Sequence, residues 1–351
     1  MKYLILFFNG EINMKKQIIA AAVAASVSAV AMADVSITGN ANYEWFSTTT
    51  GTADANYTAD TEVNLKIAGK SGDTGAEVNL EFNDGEAGGA NLDVEDVVFT
   101  TKVGDVAVKA GHYASGTTAF LGEIDSGART QDKLDLSTTM AGWKVSFSQA
   151  ENTTTDNIDS DGSAITVSGK VADVAVTIKE ASDSYTAIGA AGSLAGINYR
   201  IENKDADAAN SDVLFVDLNT KVGGATVGYT VLDADSAGKI TEGDSGIFGL
   251  SVSHVDGTLT SGTSGDSDNR GNVATGAKQL RISAPMAGNT LSAKIGTIED
   301  GLGAGSDLDF TELKLTRALA SGATLNVVFD DYDDTTSTST EVIEIDLSVK
   351  F

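Results

Sequence analysis

Cysteine is absent from this chain of 351 residues, and proline occurs once, at Pro285. Histidine is confined to His112 and His254. Without disulfides, a secreted chain of this size must take its stability from backbone pairing and packing. Two histidines leave little material for catalysis, because a barrel-type protease or lipase needs a His paired with Asp or Ser. Past the N-terminal leader, no stretch reaches the roughly 18 apolar residues of a spanning helix. If this chain crosses a membrane, it does so as a closed sheet, since an open sheet edge leaves amides that lipid cannot satisfy. Cations are also scarce. The formal net charge is −27, which argues against nucleic acid as a partner, because its binders carry basic patches. It favours a cation-rich aqueous setting or a lumen that draws cations.

The chain is instead rich in glycine, with 38 residues, and in Thr, Ser, Asn and Asp. That composition suits many strands joined by turns. At the N-terminus, Met14-Lys15-Lys16 precedes an apolar run from Ile18 to Val30, and Ala31-Met32-Ala33 supplies a small-x-small cleavage pattern. This is the pattern of a secretory signal peptide. It divides the chain into a leader over residues 1–33, with translation starting at Met14 and cleavage after Ala33, and a single β-domain over 34–351. A longer two-part leader beginning at Met1 is the alternative.

Strands are legible from alternation, because successive side chains point to opposite faces. In Glu341–Phe351, Ile343, Ile345, Leu347, Val349 and Phe351 share one face, while Glu344, Asp346, Ser348 and Lys350 share the other. The first strand after the leader repeats the pattern, with Val35, Ile37, Tyr43 and Trp45 against Ser36, Thr38, Asn40 and Glu44. It recurs in Val63-Leu65-Ile67 against Lys66, in Trp143-Val145-Phe147 against Lys144, and in Ile197-Tyr199-Ile201 against Arg200. Connections alternate in length. Short ones include Gly104-Asp105, Ala141-Gly142, Ala172-Asp173 and Gly223-Gly224. Long polar ones include Ser47–Asp60, Tyr113–Asp132, Ala150–Gly162, Leu232–Ser245, Asp256–Thr275 and Asp331–Thr340. Short turns on one rim and long loops on the other describe a transmembrane antiparallel β-barrel, with periplasmic turns and outer loops. A soluble sandwich or solenoid also alternates. Against it stand the Lys and Arg residues, which keep to the polar face of strands, and the aromatics Tyr43, Trp45, Phe46, Trp143, Tyr185, Tyr199 and Phe351 near strand ends, where interfacial girdles lie. The strand number must be even. At about 20 residues per strand and connection the count is sixteen, while the alternating runs, including weak ones at Tyr185–Ala191 and Ile247–Val255, leave eighteen open.

The opening Asp-Val-Ser-Ile-Thr-Gly strand, the Gly-turns, a long third loop and the closing Phe351, in that order, resemble a Gram-negative general (diffusion) porin. The resemblance implies a barrel in the cell outer membrane, a homotrimer surrounded by outer-membrane lipid, and passive passage of small hydrophilic solutes and cations. It implies an assembly signal at Phe351. It also implies a pore constriction made where the third loop folds inward, with acidic loop residues facing basic wall residues. By position Glu123 and Asp125 take the acidic role beside Arg129, and Lys66, Lys109, Lys144 and Arg200 are the wall cations. The loop lacks a Pro-Glu-Phe-Gly-type sequence and arginine is sparse, so the basic half of the constriction is thin. Opposed charges across a narrow lumen orient dipolar solutes, and a surplus of one sign selects counter-ions.

Other constellations point less clearly to a function. No cofactor is implied. Asp233–Asp244 and Asn157–Gly162 loosely resemble Ca2+ loops without a closing carboxylate, and Asp330, Asp331, Asp333 and Asp334 form a third acidic group. All three read first as solvated outer loops, with Ca2+ as the alternative. Gly301, Gly303 and Gly305 imitate a nucleotide loop but lack a surrounding βαβ unit. Of the two histidines, His112 is expected to line the pore. A structural or adhesive barrel with a plugged lumen would need large inward apolar residues, and a barrel hydrolase is the remaining rival.

Overall fold

The computed structural model describes residues 34–83, 91–114, 130–150, 163–182, 185–206, 212–234, 276–299, 307–334 and 339–351. They form eighteen strands: β1 (Asp34–Thr50), β2 (Asn56–Ser71), β3 (Thr74–Asn83), β4 (Asn91–Val103), β5 (Val106–Ala114), β6 (Thr130–Met140), β7 (Trp143–Ala150), β8 (Ser163–Val171), β9 (Val174–Ala181), β10 (Tyr185–Leu194), β11 (Ile197–Ala206), β12 (Val213–Val222), β13 (Ala225–Ala234), β14 (Gly276–Met286), β15 (Asn289–Glu299), β16 (Leu308–Ala318), β17 (Thr324–Asp334) and β18 (Ser339–Lys350). Every strand pairs antiparallel with its sequence neighbours, and β1 also pairs with β18. The sheet is therefore a closed barrel. Closure pairs the backbone groups that an open edge would expose.

Eighteen is the larger of the two strand numbers the alternation allowed. The short Ala195-Gly196 turn makes the weak run at Tyr185 a full strand, β10, and pairs it with β11. Two connections read as long are short. β1 and β2 run on to Thr50 and Asn56, which leaves residues 51–55 between them, and β17 and β18 leave residues 335–338. Polar Thr, Asp and Ser residues at these strand tops look like loop in sequence, but above the lipid a strand needs no apolar face.

The turns at the other rim are tight. In Ala141-Gly142, Ala195-Gly196, Gly223-Gly224 and Ala287-Gly288 both residues have positive φ, the type I′ geometry that matches strand twist in two-residue hairpins.

Direct cross-strand partners share a face, so the register sorts every side chain inward or outward. The sorting is the reverse of a soluble protein. Ile295 is 58% exposed, whereas the neighbouring Lys294 side chain is 18% exposed. Ile37, Ile165, Ile188, Leu313 and Leu347 are likewise exposed on the outer face. Buried residues such as Glu202, Asp217, Thr230, Gln279 and Glu312 line the inside. A belt of exposed aliphatics around a polar interior is what lipid requires.

Trp45, Tyr57 (rings 5.7 Å apart), Trp143, Tyr199 and Phe351 take outward positions at the margins of this belt. Phe46 and Tyr185, expected in the same girdles, face inward instead: Phe46 is buried, and Tyr185 lies beneath Lys179 and Lys204. Their place near strand ends resembled a girdle, but the period-two face decides. At the turn-side margin the rings of Trp143, Tyr199 and Phe351 lie across Gly169, Gly192 and Gly39, where a Cβ would collide with the ring. Strand glycines accommodate a close approach of this kind.

Candidate functional site: the lumen wall

Of the wall residues expected from sequence, Lys66, Lys109, Lys144 and Arg200 all fall on the inward face. They do not converge. Lys66 on β2 is salt-bridged to Glu77 on β3 at 2.6 Å. Lys109 on β5 sits over the Tyr113 ring, 3.8 Å from its centroid, and opposite Asp135 in the register. Lys144 is exposed two residues beyond the Ala141-Gly142 turn, so it belongs to the turn-side mouth. Arg200 on β11 stacks over Phe215, 5.2 Å away. Glu123, Asp125 and Arg129 lie outside the described residues.

The inward face has an order that reaches beyond those four. From β5 to β11 it carries Lys109, Lys133, Lys144, Lys170, Lys179, Arg200 and Lys204, with Asp135 and Glu202 as its carboxylates. Three aromatic rings support five of these cations: Tyr113 under Lys109 and Lys133, Tyr185 under Lys179 and Lys204, and Phe215 under Arg200. The ring faces are negative and hold ammonium and guanidinium groups in place. Tyr113 also donates to Asp135 at 2.8 Å. From β12 to β16 the wall carries both signs, and its central charges are ion-paired. Arg281 is 2.6 Å from Asp217 and also donates to Thr230, and Thr230 donates to Asp217 at 2.8 Å. Lys294 meets Glu312 at 2.8 Å.

From β17 through β1 to β4 the loop-side half of the wall is acidic. Asp330, Glu344, Asp346, Glu44, Asp60, Glu62, Glu81, Asp93 and Asp96 all face inward by register. Glu44 has Glu344, Asp346, Glu62 and Asp60 as its charged neighbours. A register shift between β3 and β4 leaves Glu95 as an extra, bulged residue. With Asn64, Lys66, Glu81, Asp96 and Lys350 it lines a recess of about 590 Å3. A bulge at a barrel wall re-aims a side chain, and here it adds a carboxylate to the acidic side. In a ring of eighteen strands, β1 lies opposite β10, so β17–β2 of the acidic wall face β8–β11 of the basic one.

Sequence reasoning placed the acidic half of the constriction on the third loop and missed this wall. The signal was present as Glu44, Glu62, Glu81, Glu344 and Asp346 on the polar faces of separate strands. Only the pairing order brings the first and last strands together.

The acidic group at residues 330–334 is not a solvated loop. It lies on β17, where alternation divides it. Asp330 faces inward and is buried, while Asp331 and Asp333 face outward. Asp233 is the outward end of β13, and the rest of that loose Ca2+ pattern, with residues 157–162 and the glycines 301–305, lies outside the described residues. His112 does not line the pore. It lies on the outward face near the loop rim, with Nδ1 2.8 Å from Asp132 Oδ1. No Ser or Thr hydroxyl among the described residues hydrogen-bonds to either side chain.

No protein-family model matches the chain, and no characterised protein matches it by sequence. Solved structures do match its fold. OccK2 (OpdF) of Pseudomonas aeruginosa, in complex with glucuronate, aligns with a TM-score of 0.61 at 12% identity over 91% of this chain and 98% of its own. The fold is that of an outer-membrane porin. OpdK of Pseudomonas aeruginosa with vanillate aligns at 0.59 and 10% identity, over 90% of this chain and 98% of that one. A triple mutant of the Rh. blastica porin aligns at 0.54 and 14% identity, over 90% and 100%. Identities this low establish the porin architecture and carry over no residue roles.

Proposed function

We propose that this porin barrel is an open, water-filled channel in the cell outer membrane for passive diffusion of ions and small hydrophilic solutes, with weak cation selectivity. The observation that carries the reading is the lumen wall, charged on opposite sides with opposite sign. Such a wall sets a transverse field that orients dipolar solutes and penalises apolar ones. The cation preference follows from how the two sides are neutralised. Lys109, Lys133, Lys179, Arg200 and Lys204 of the basic wall lie over aromatic rings, and β12–β16 carry the pairs Arg281–Asp217 and Lys294–Glu312. Around Glu44 stand Glu344, Asp346, Glu62 and Asp60, so carboxylates are concentrated on that side of the lumen.

Further parts of the reading rest on sequence. Glu123, Asp125 and Arg129 are our proposed eyelet residues on the third loop, and a homotrimer is the proposed assembly. Phe351 is the proposed assembly signal. In its support, Phe351 closes the seam through hydrogen bonds with Gly39 in both directions, at 2.9 and 3.0 Å. Phe351→Ala should lower the yield of heat-modifiable, folded outer-membrane protein.

The glucuronate and vanillate of the neighbouring structures are carboxylates, and the aromatic-backed cations of β5–β11 favour a second reading, a channel selective for small organic acids. Planar-bilayer recording of the refolded chain in a KCl gradient separates the two. Stepwise conductance with a small zero-current potential of cation sign is the expected result. A potential of anion sign would favour the second reading, and absence of conductance steps would sink both.

A further inference from the structure

Six lysines face the lumen at the turn-side rim: Lys70 on β2, Lys102 on β4, Lys144 on β7, Lys170 on β8, Lys221 on β12 and Lys350 on β18. Their placement is regular. Lys70, Lys102, Lys170 and Lys221 each precede by two residues the first turn residue, Gly72, Gly104, Ala172 or Gly223, and Lys144 follows Gly142 by two. All six are exposed. Among the described residues, none takes part in an ion pair, a side-chain hydrogen bond or a ring contact, unlike the cations higher in the wall.

The local sequence leaves them unneutralised. Directly across their hairpins, Lys70, Lys102, Lys144, Lys170 and Lys221 meet Gly75, Ala107, Thr139, Ala175 and Thr226. The carboxylates that come nearest in sequence or register are Asp34, opposite Lys70 on β1, and the turn residues Asp73, Asp105 and Asp173. The turn carboxylates offset part of the positive charge at the outermost edge, and Asp34 stands across from Lys70 in the register. The acidic wall begins well above. Lys70 and Glu62 lie on the same face of β2, eight residues apart. At about 3.3 Å per residue and a tilt of about 45°, this separates the bands by roughly 18 Å along the axis. Screening at physiological salt acts within about 8–10 Å, so Lys70 is electrically separate from Glu62, whereas Lys350, four residues from Asp346 on the same face of β18 and in the recess with Glu81, Glu95 and Asp96, is the one lysine of the six that adjoins the acidic wall. Glu77 lies closer and is already taken by Lys66.

Flexible ammonium groups are point charges with three donors each, and they suit the oxygens of phosphate better than a planar, bidentate partner. We infer that the turn-side mouth is a binding ring for multivalent anions of the oligophosphate class that approach from the turn side. The inference rests on the pore reading only for its access route.

The test uses inorganic tripolyphosphate and the full refolded chain. The chain contains no cysteine, so a single Thr52→Cys change between β1 and β2 lets an impermeant thiol reagent report which side of a planar bilayer carries the loops. Tripolyphosphate should block current reversibly from the turn side only, at the polarity that drives anions into the pore. Titration calorimetry in micelles reads binding without any current. Lys70→Gln, Lys102→Gln, Lys170→Gln and Lys221→Gln combined should weaken binding roughly tenfold or more and leave heat-modifiability unchanged, since exposed positions tolerate substitution. If that variant does not fold, the double change Lys144→Gln and Lys170→Gln, with several-fold weaker binding, takes its place. Equal block from both sides, or wild-type affinity in the variants, overturns the proposal. A channel that conducts without binding tripolyphosphate overturns the ring and leaves the pore reading standing. Binding without conductance does the reverse.

Discussion

Asp217 on β12 has Arg281 at 2.6 Å and Thr230 at 2.8 Å, whereas Glu44, on the far side of the barrel, has Asp60, Glu62, Glu344 and Asp346 around it. Both carboxylates face the same lumen. One belongs to a network in which each charge is answered, and the other to a wall in which like charges accumulate. A paired interior charge holds the wall in shape, and removing its partner leaves a desolvated ion. Like charges side by side cost stability and are kept where a field in the lumen is worth more than rigidity. The two sides thus differ in kind, with ion pairs across β12–β16 and a gathering of carboxylates across β17–β4.

The largest effect should come from the network. Asp217→Ala strands the Arg281 guanidinium and should destabilise the refolded barrel by about 3 kcal/mol or more in urea unfolding. The corresponding loss on the acidic wall, Glu344→Gln, should change stability by less than about 1 kcal/mol, and in the stabilising direction. Equal costs would erase the distinction between the sides. Next in size is the contrast between faces. Val145→Arg places a cation in lipid at about 2–4 kcal/mol, while Ser146→Arg, one residue on, should leave the unfolding midpoint almost unmoved. Selectivity then sharpens the comparison without touching stability. Glu44→Gln with Glu62→Gln should shift the zero-current potential in a salt gradient toward anions, and Lys109→Gln with Lys179→Gln should shift it toward cations. Displacements of the same sign would mean that the two walls do not act as opposed poles. The smallest effect belongs to the exposed Lys66–Glu77 pair. Lys66→Met should cost at most about 1 kcal/mol, because solvent already screens that bridge.

The barrel was legible because its two faces are chemically unlike and strictly alternating. Ile343 to Phe351 and Val35 to Trp45 can be assigned to lipid from spacing alone, and the register confirms them. Legibility failed where alternation stops carrying information. Above the membrane both faces are polar, so Thr49, Thr58 and Asp331 read as loop although they are strand. Phe46 and Tyr185 were sorted by residue type, which cannot tell a girdle from a ring that supports a lysine inside the lumen. The acidic wall was invisible for another reason. Glu44 and Glu344 are distant in sequence and become neighbours only through the β1–β18 pairing, a property of the closed ring that no local window contains.

That pairing also bears on how the protein acquires its shape. Thr50 and Thr340, 290 residues apart in the chain, lie directly opposite each other across the seam, while every other pairing joins consecutive strands. Bringing such distant segments together costs about 5 kcal/mol of loop-closure entropy, which the hairpins do not incur. Hairpins can form within microseconds, but they produce a curved sheet with two open edges and one lipid-seeking face. Until the seam closes, that intermediate is open to aggregation. Folding should therefore show a slow final phase that depends on the β1–β18 seam, and the time the chain spends before it should determine how much assistance it needs on the way to the membrane.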